Sequence, residues 1–139
     1  MDEEWIDISG DGGVLKLVTQ EGSGDIPPNG SKIRAHYTGT LEDGSKFDSS
    51  RDRNKVFKFP LGQGRVIGGW DKGFSSMKVG EKAILRCKPE YAYGENGYLK
   101  VIFYHQFICF LFSGHPPLIP SNSTLDFDVE LLGFDVKQH

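Results

Sequence analysis

The chain has 139 residues, a formal net charge of −3 and both signs of charge mixed along its length. That is the length of one domain, able to bury roughly 68–70% of its unfolded surface in a single core, and the weakly acidic balance excludes a nucleic-acid partner held by phosphate neutralisation. The two cysteines, Cys87 and Cys109, show no CxxC or Cys/His ligand spacing, which argues against a disulfide framework and a zinc site.

Residues 1–13 read as a polar, glycine-rich leader. Its acidic start, Met1-Asp2-Glu3-Glu4-Trp5, has no apolar h-region, so no secretory signal is expected. A reducing setting, cytoplasmic or nuclear, follows from that and from the cysteine pattern, and the Asn29 and Asn122 sequons are then not expected to be glycosylated. Val14–Thr19 reads as a short strand, and Pro27-Pro28-Asn29-Gly30 as a turn. Over Ser31–Thr40, Ile33, Ala35 and Tyr37 alternate with Lys32, Arg34 and His36, the pattern of a half-buried strand with His36 on its solvated face. Asp43-Gly44 signals a tight turn into Lys46-Phe47-Asp48, and a charged loop over residues 49–55 leads to a strand at Phe57–Leu61.

Arg65–Phe74 is the stretch that organises the rest. Val66, Ile67, Trp70 and Phe74 share one helical face, with Asp71, Lys72 and Ser75 opposite. Gly68, Gly69 and Gly73 each weaken an isolated helix by roughly 1 kcal/mol relative to alanine, so the helix needs a sheet to lie on. Taken alone, Trp70 reads as core. Behind two glycines at the start of a short helix, it also reads as a flat apolar floor for a ligand.

Beyond Val79-Gly80, Ala83, Leu85 and Cys87 alternate with Lys82, Arg86 and Lys88, and Pro89 closes that strand. The last strand has the clearest pattern: Leu125, Phe127, Val129 and Leu131 on one side, Asp126, Asp128 and Glu130 on the other. One helix and strands joined by short turns predict an α+β fold, an antiparallel sheet curled over the helix. No internal repeat or linker appears.

With these segments in place, the sequence resembles the FKBP family, the immunophilins that bind tacrolimus and rapamycin and catalyse peptidyl-prolyl cis/trans isomerisation. The resemblance rests on five motifs in family order: residues 36–39 (HYTG), 46–53 (KFDSSRDR), 66–70 (VIGGW), 89–94 (PEYAYG) and 125–132 (LDFDVELL). It implies a domain over residues 14–134, with a tail at 135–139, folded as an antiparallel half-barrel of about five or six strands around one short helix. In the family pattern Tyr37, Phe47, Phe57 and Phe127 are pocket walls, Trp70 is the floor, and Val66 and Ile67 form a rim. The Ile67 backbone N–H and the Tyr93 hydroxyl are donors to ligand carbonyls, Asp48 is a polar partner, and Arg53, Phe59, His115, Leu118 and Ile119 are ligand-binding positions. A monomer is expected, with proline-containing peptides and macrolides as partners and with no metal, cofactor or membrane span.

Those residue types suit the chemistry that the resemblance implies. Rotation about an X-Pro bond meets a barrier of about 18–20 kcal/mol because the C–N bond has partial double-bond character. The twisted transition state has lost that resonance and its charge separation, so a dry apolar pocket favours it over the planar amide. No nucleophile is required. Asp48 reads alternatively as a strand-end cap, and Arg53 as its ion-pair partner or as a solvated charge. The glycines at 62, 64 and 68 are off the dinucleotide spacing, because Ile67 stands where the third glycine belongs. His36, His105, His115 and His139 have no metal-ligand spacing.

Residues 98–114 depart from the family pattern. Deleting these seventeen residues joins Gly97 to His115 and restores an ordinary flap, and twelve of them are apolar or aromatic. The stretch is too short and too interrupted for a membrane-spanning helix, which wants about 20 apolar residues. Three accounts fit it: a translated remnant of gene structure, a flap extension that grips unfolded chains, or a docking element. The rival to an active isomerase is accordingly a non-catalytic proline- or macrolide-binding module, or a chaperone-like one, whose altered flap has impaired turnover.

Overall fold

A computed structural model of the protein describes residues 4–92 and 122–136. Among the described residues seven strands form one antiparallel sheet: β1 (Trp5–Asp7), β2 (Val14–Gln20), β3 (Lys32–Thr40), β4 (Lys46–Ser49), β5 (Phe57–Pro60), β6 (Lys82–Cys87) and β7 (Leu125–Asp135). Their order is β1-β2-β6-β7-β3-β4, with β5 paired to β3 as well. The helix α1 (Gly68–Phe74) lies against β2 and β6. Among the described residues no helix is long and apolar enough to cross a membrane.

The alternating strands bury the side that their sequences predict. Ile33, Ala35 and Tyr37 of β3, Ala83, Leu85 and Cys87 of β6, and Leu125, Phe127, Val129 and Leu131 of β7 are all essentially inaccessible. They form one core with Trp70 and Phe74 of α1. His36 faces outward as predicted, yet it is only half exposed, and its Nδ1 lies 2.9 Å from Ser50 Oγ.

Two bulges shape the sheet. Between β3 and β7 the pairing steps from Ala35 with Leu131 to Arg34 with Gly133. Leu132 therefore has no partner and turns partly to solvent. Between β3 and β4, Gly39 pairs with Asp48 and Thr40 with Lys46, which leaves Phe47 as the extra residue. A bulge breaks the period of two and re-aims a side chain, and here Phe47, Asp48 and Ser49 are consecutively buried.

The helix seats closely on β6 through its glycines. A Cβ at Gly73 would stand 2.5 Å from a Leu85 methyl, and one at Gly69 would collide with Cys87 Sγ. Its start is held by Asp71, whose carboxylate accepts from the Gly62 N–H (2.9 Å) and the Gly64 N–H (3.1 Å). Both glycines sit at positive φ, which a side chain would resist.

The extra strand comes from the stretch read as a leader. β1 pairs with β2, placing Trp5 opposite Leu17, and the Arg86 guanidinium lies 4.4 Å from the Trp5 ring centre. The following loop is tied down by Tyr91, whose hydroxyl donates to Asp11 at 2.7 Å.

Candidate active site

Trp70 is the centre of an aromatic cluster. Four elements bring rings to it: Tyr37 from β3 at 4.9 Å between centroids, Phe127 from β7 at 5.3 Å, Phe57 and Phe59 from β5 at 5.4 and 5.7 Å, and Phe74 from the next turn of α1 at 5.5 Å. Most meet edge to face, the arrangement that ring quadrupoles favour. Tyr37 and Phe127 share a face because β3 and β7 pair Gly39 with Phe127 and Tyr37 with Val129, two residues along.

Phe47 completes the outer wall, 5.6 Å from Phe127. Its ring lies over Gly39, where a Cβ would stand 2.5 Å from the ring carbon Cζ. Val66 and Ile67 precede α1 and are nearly buried. The Ile67 carbonyl accepts the Trp70 N–H at 3.0 Å and opens the helix. Phe57 is the half-exposed ring of the group, whereas Phe59 is fully buried behind it.

One polar network borders these rings. The Tyr37 hydroxyl donates to Asp48 Oδ2, and Arg53 donates to Asp48 Oδ1 and, at 2.9 Å, to the Tyr37 oxygen. The Ser49 N–H adds a bond to Asp48 Oδ1 at 2.8 Å. Burial, reinforced by the Asp48 carboxylate, pushes the Tyr37 hydroxyl above the usual tyrosine range. Burial works against the Arg53 charge, but Tyr37 and Asp48 outweigh it and hold the guanidinium above its ordinary value. Arg53 is therefore an ion-pair partner of Asp48, the first of the two readings open in the sequence. The cluster as a whole is an apolar aromatic wall with one ion-paired carboxylate at its edge.

Of the residues predicted for the site, Tyr37, Phe47, Asp48, Arg53, Phe57, Phe59, Val66, Ile67, Trp70 and Phe127 all belong to this assembly. Tyr93, His115, Leu118 and Ile119 lie outside the described residues, as does the stretch 98–114. Sequence reasoning missed Gly39, whose signal was its place within the residues 36–39 motif, two positions after Tyr37. It also missed the buried Lys16–Glu81 pair under the far end of α1, for which alternation gave no signal.

A family description, FKBP-type peptidyl-prolyl cis-trans isomerase, matches residues 24–132. The chain belongs to the FKBP family. It is 51% identical over 119 residues to the peptidyl-prolyl cis-trans isomerase Fkbp12 of Drosophila melanogaster, covering 86% of this chain and 94% of that protein. It is 47% identical over 127 residues to FK506-binding protein 1A of Aspergillus fumigatus, covering 91% and 98%. Against FKBP4 of Homo sapiens it is 47% identical over 94% of its own length but only 26% of that protein. Among solved structures, the N-terminal domain of FKBP42 from Arabidopsis thaliana superposes with a TM-score of 0.79 at 28% identity, over 98% of this chain and 95% of that one. The FKBP fold and a peptidyl-prolyl isomerase activity are thereby shown for this chain.

Proposed function

We propose that the Trp70 cluster is where this FKBP isomerises X-Pro amide bonds, with the proline ring against Trp70 and the twisted amide beside Tyr37, Asp48 and Phe127. The observation that carries this reading is the convergence of Tyr37, Phe57, Phe59, Phe74 and Phe127 on one indole. Such a surface has no strong dipole to solvate a planar, charge-separated amide, so it favours the orthogonal form in which that separation is gone. Arg53 pairs with Asp48 and holds its carboxylate in place. Val66 and Ile67 form the rim, and the Ile67 N–H and Tyr93 hydroxyl donate to substrate carbonyls. Phe47 closes the outer wall, and Phe59 shapes the floor from behind. His115, Leu118 and Ile119 are further ligand-binding positions that the family resemblance implies.

The same site suits tacrolimus and rapamycin; for tacrolimus (FK506) the reading is supported by relatives that carry FK506-binding protein as their name. The test is a direct isomerisation assay on Leu-Pro and Phe-Pro peptides with rapamycin added in steps. Acceleration that disappears at one equivalent of rapamycin supports the reading. Tight rapamycin binding without acceleration makes the chain a binding module, and the absence of both effects removes the cluster from consideration.

A further inference from the structure

We propose that Lys16 and Glu81 are positioning residues for the isomerase site, acting through the seat of α1; the inference rests on the Trp70 cluster being the proline site. Lys16 lies on the core side of β2, in line with Val14, and is only 5% exposed; Glu81, just before β6, is 4% exposed. Their Nζ and Oε2 are 2.9 Å apart. The same Nζ donates to the Ser76 carbonyl at 3.1 Å, and Glu81 Oε1 accepts the Lys78 N–H at 3.2 Å.

These bonds tie the exit of α1 to the sheet. The Ser76 N–H and hydroxyl both reach the Gly73 carbonyl, at 3.1 and 2.7 Å, so the ammonium grips the segment that ends the helix, on the side where a helix favours positive charge. Glu81 is itself fixed to β7, because the Leu131 N–H donates to the Glu81 carbonyl at 3.1 Å.

Stability alone does not account for such a pair, since apolar residues of similar volume are often as stabilising as a buried ion pair or more so. An apolar pair cannot grip the Ser76 carbonyl. That grip fixes the slide and rotation of a seven-residue helix, and Trp70 moves with it. Small displacements of a positioning group have large effects on rate.

The test replaces the pair by apolar residues, Lys16→Met with Glu81→Leu. The double variant is expected to fold with a Tm at or above the wild type, while kcat falls about tenfold with little change in KM, and the Trp70 indole and Ile67 amide resonances shift. A folded double variant with unchanged kcat and unmoved resonances overturns the proposal. Lys16→Met alone is expected to lower Tm by leaving Glu81 buried and unpaired; an unchanged Tm also overturns it. Glu81→Gln, which keeps the volume and an acceptor, is read by kcat and resonances in the same way should the double variant not fold. If the wild type shows neither turnover nor rapamycin binding, the proline-site reading fails, and the resonances decide the positioning claim by themselves.

Discussion

Tyr37 and Trp70 meet edge to face, with ring centroids 4.9 Å apart and planes inclined by 72°. The contact joins the centre of the sheet to the helix, and four further rings surround the same indole. Removing that indole leaves a cavity that rigid neighbours fill poorly. Trp70→Ala is therefore expected to destabilise the fold by about 3–5 kcal/mol, read from urea unfolding. It is also expected to abolish isomerisation under conditions where the variant remains folded; full activity there would contradict the assignment of Trp70 as the floor.

Tyr37→Phe separates the hydroxyl from the ring. The change removes one donor to Asp48 and leaves Arg53 and the Ser49 N–H in place, for an expected loss of about 1–3 kcal/mol at neutral pH. Because burial and Asp48 raise the folded Tyr37 value above the ordinary 10.0, its contribution is complete below about pH 10. It declines as the pH rises further, since the unfolded chain gives up the proton while the folded one keeps it. Between pH 10 and 11 the wild type should lose about 1 kcal/mol more than Tyr37→Phe, and above that the difference steepens toward about 1.4 kcal/mol per unit. Parallel pH curves in denaturant would show that the hydroxyl is not held as described.

Gly69→Ala sets helix propensity against packing. An exposed helical glycine replaced by alanine gains about 1 kcal/mol, but the new methyl at position 69 meets Cys87 Sγ, and the Tyr91 carbonyl oxygen lies only 3.3 Å away. Overpacking of this kind costs about 1–3 kcal/mol, so packing should win and the midpoint of unfolding should fall. A rise would mean that the helix sits further from β6.

Much of this architecture is legible in the sequence wherever one face of a strand is uniformly apolar. β3, β6 and β7 alternate strictly, and their buried sides could be read off directly. β2 could not be oriented that way. Lys16 occupies a core position while Leu15 and Leu17 are only half-buried, because the ammonium is satisfied by Glu81, sixty-five positions away in the chain. Trp5 was hidden for a similar reason, its partner Arg86 belonging to a distant strand. In the site, the motif predicted which aromatic residues gather. It did not disclose the β4 bulge that buries Phe47 and Asp48 together, since a register shift leaves no periodic trace.

Cys87 should be chemically silent in the folded protein. Burial, with a contribution from the Asp126 charge, pushes its thiol up to about 12, so at pH 8 the thiolate fraction is about one part in ten thousand. Iodoacetamide at that pH followed by peptide mass mapping should leave Cys87 unmodified until denaturant is added. Labelling of Cys87 at the rate of a free thiol would show that β6 opens readily.

Asp11 gives the β1–β2 loop an acid limit. Its carboxylate accepts from the Ser9 hydroxyl at 2.6 Å, the Tyr91 hydroxyl at 2.7 Å and the Gly13 N–H at 2.9 Å, and these bonds, Ser9 foremost, lower it from 3.8 to about 2. A depressed carboxyl contributes stability above its unfolded value and loses it as the pH falls toward its folded one. The window here is therefore about pH 4 to pH 2. Amide exchange of β1, taken relative to the intrinsic rate at each pH, should rise through that window in the wild type. In Asp11→Asn it should already be faster at neutral pH and be less sensitive to acid. Equal exchange in both proteins at pH 6 would show that the loop, and the Tyr91 link that anchors it to the site's side of the sheet, does not depend on this carboxylate.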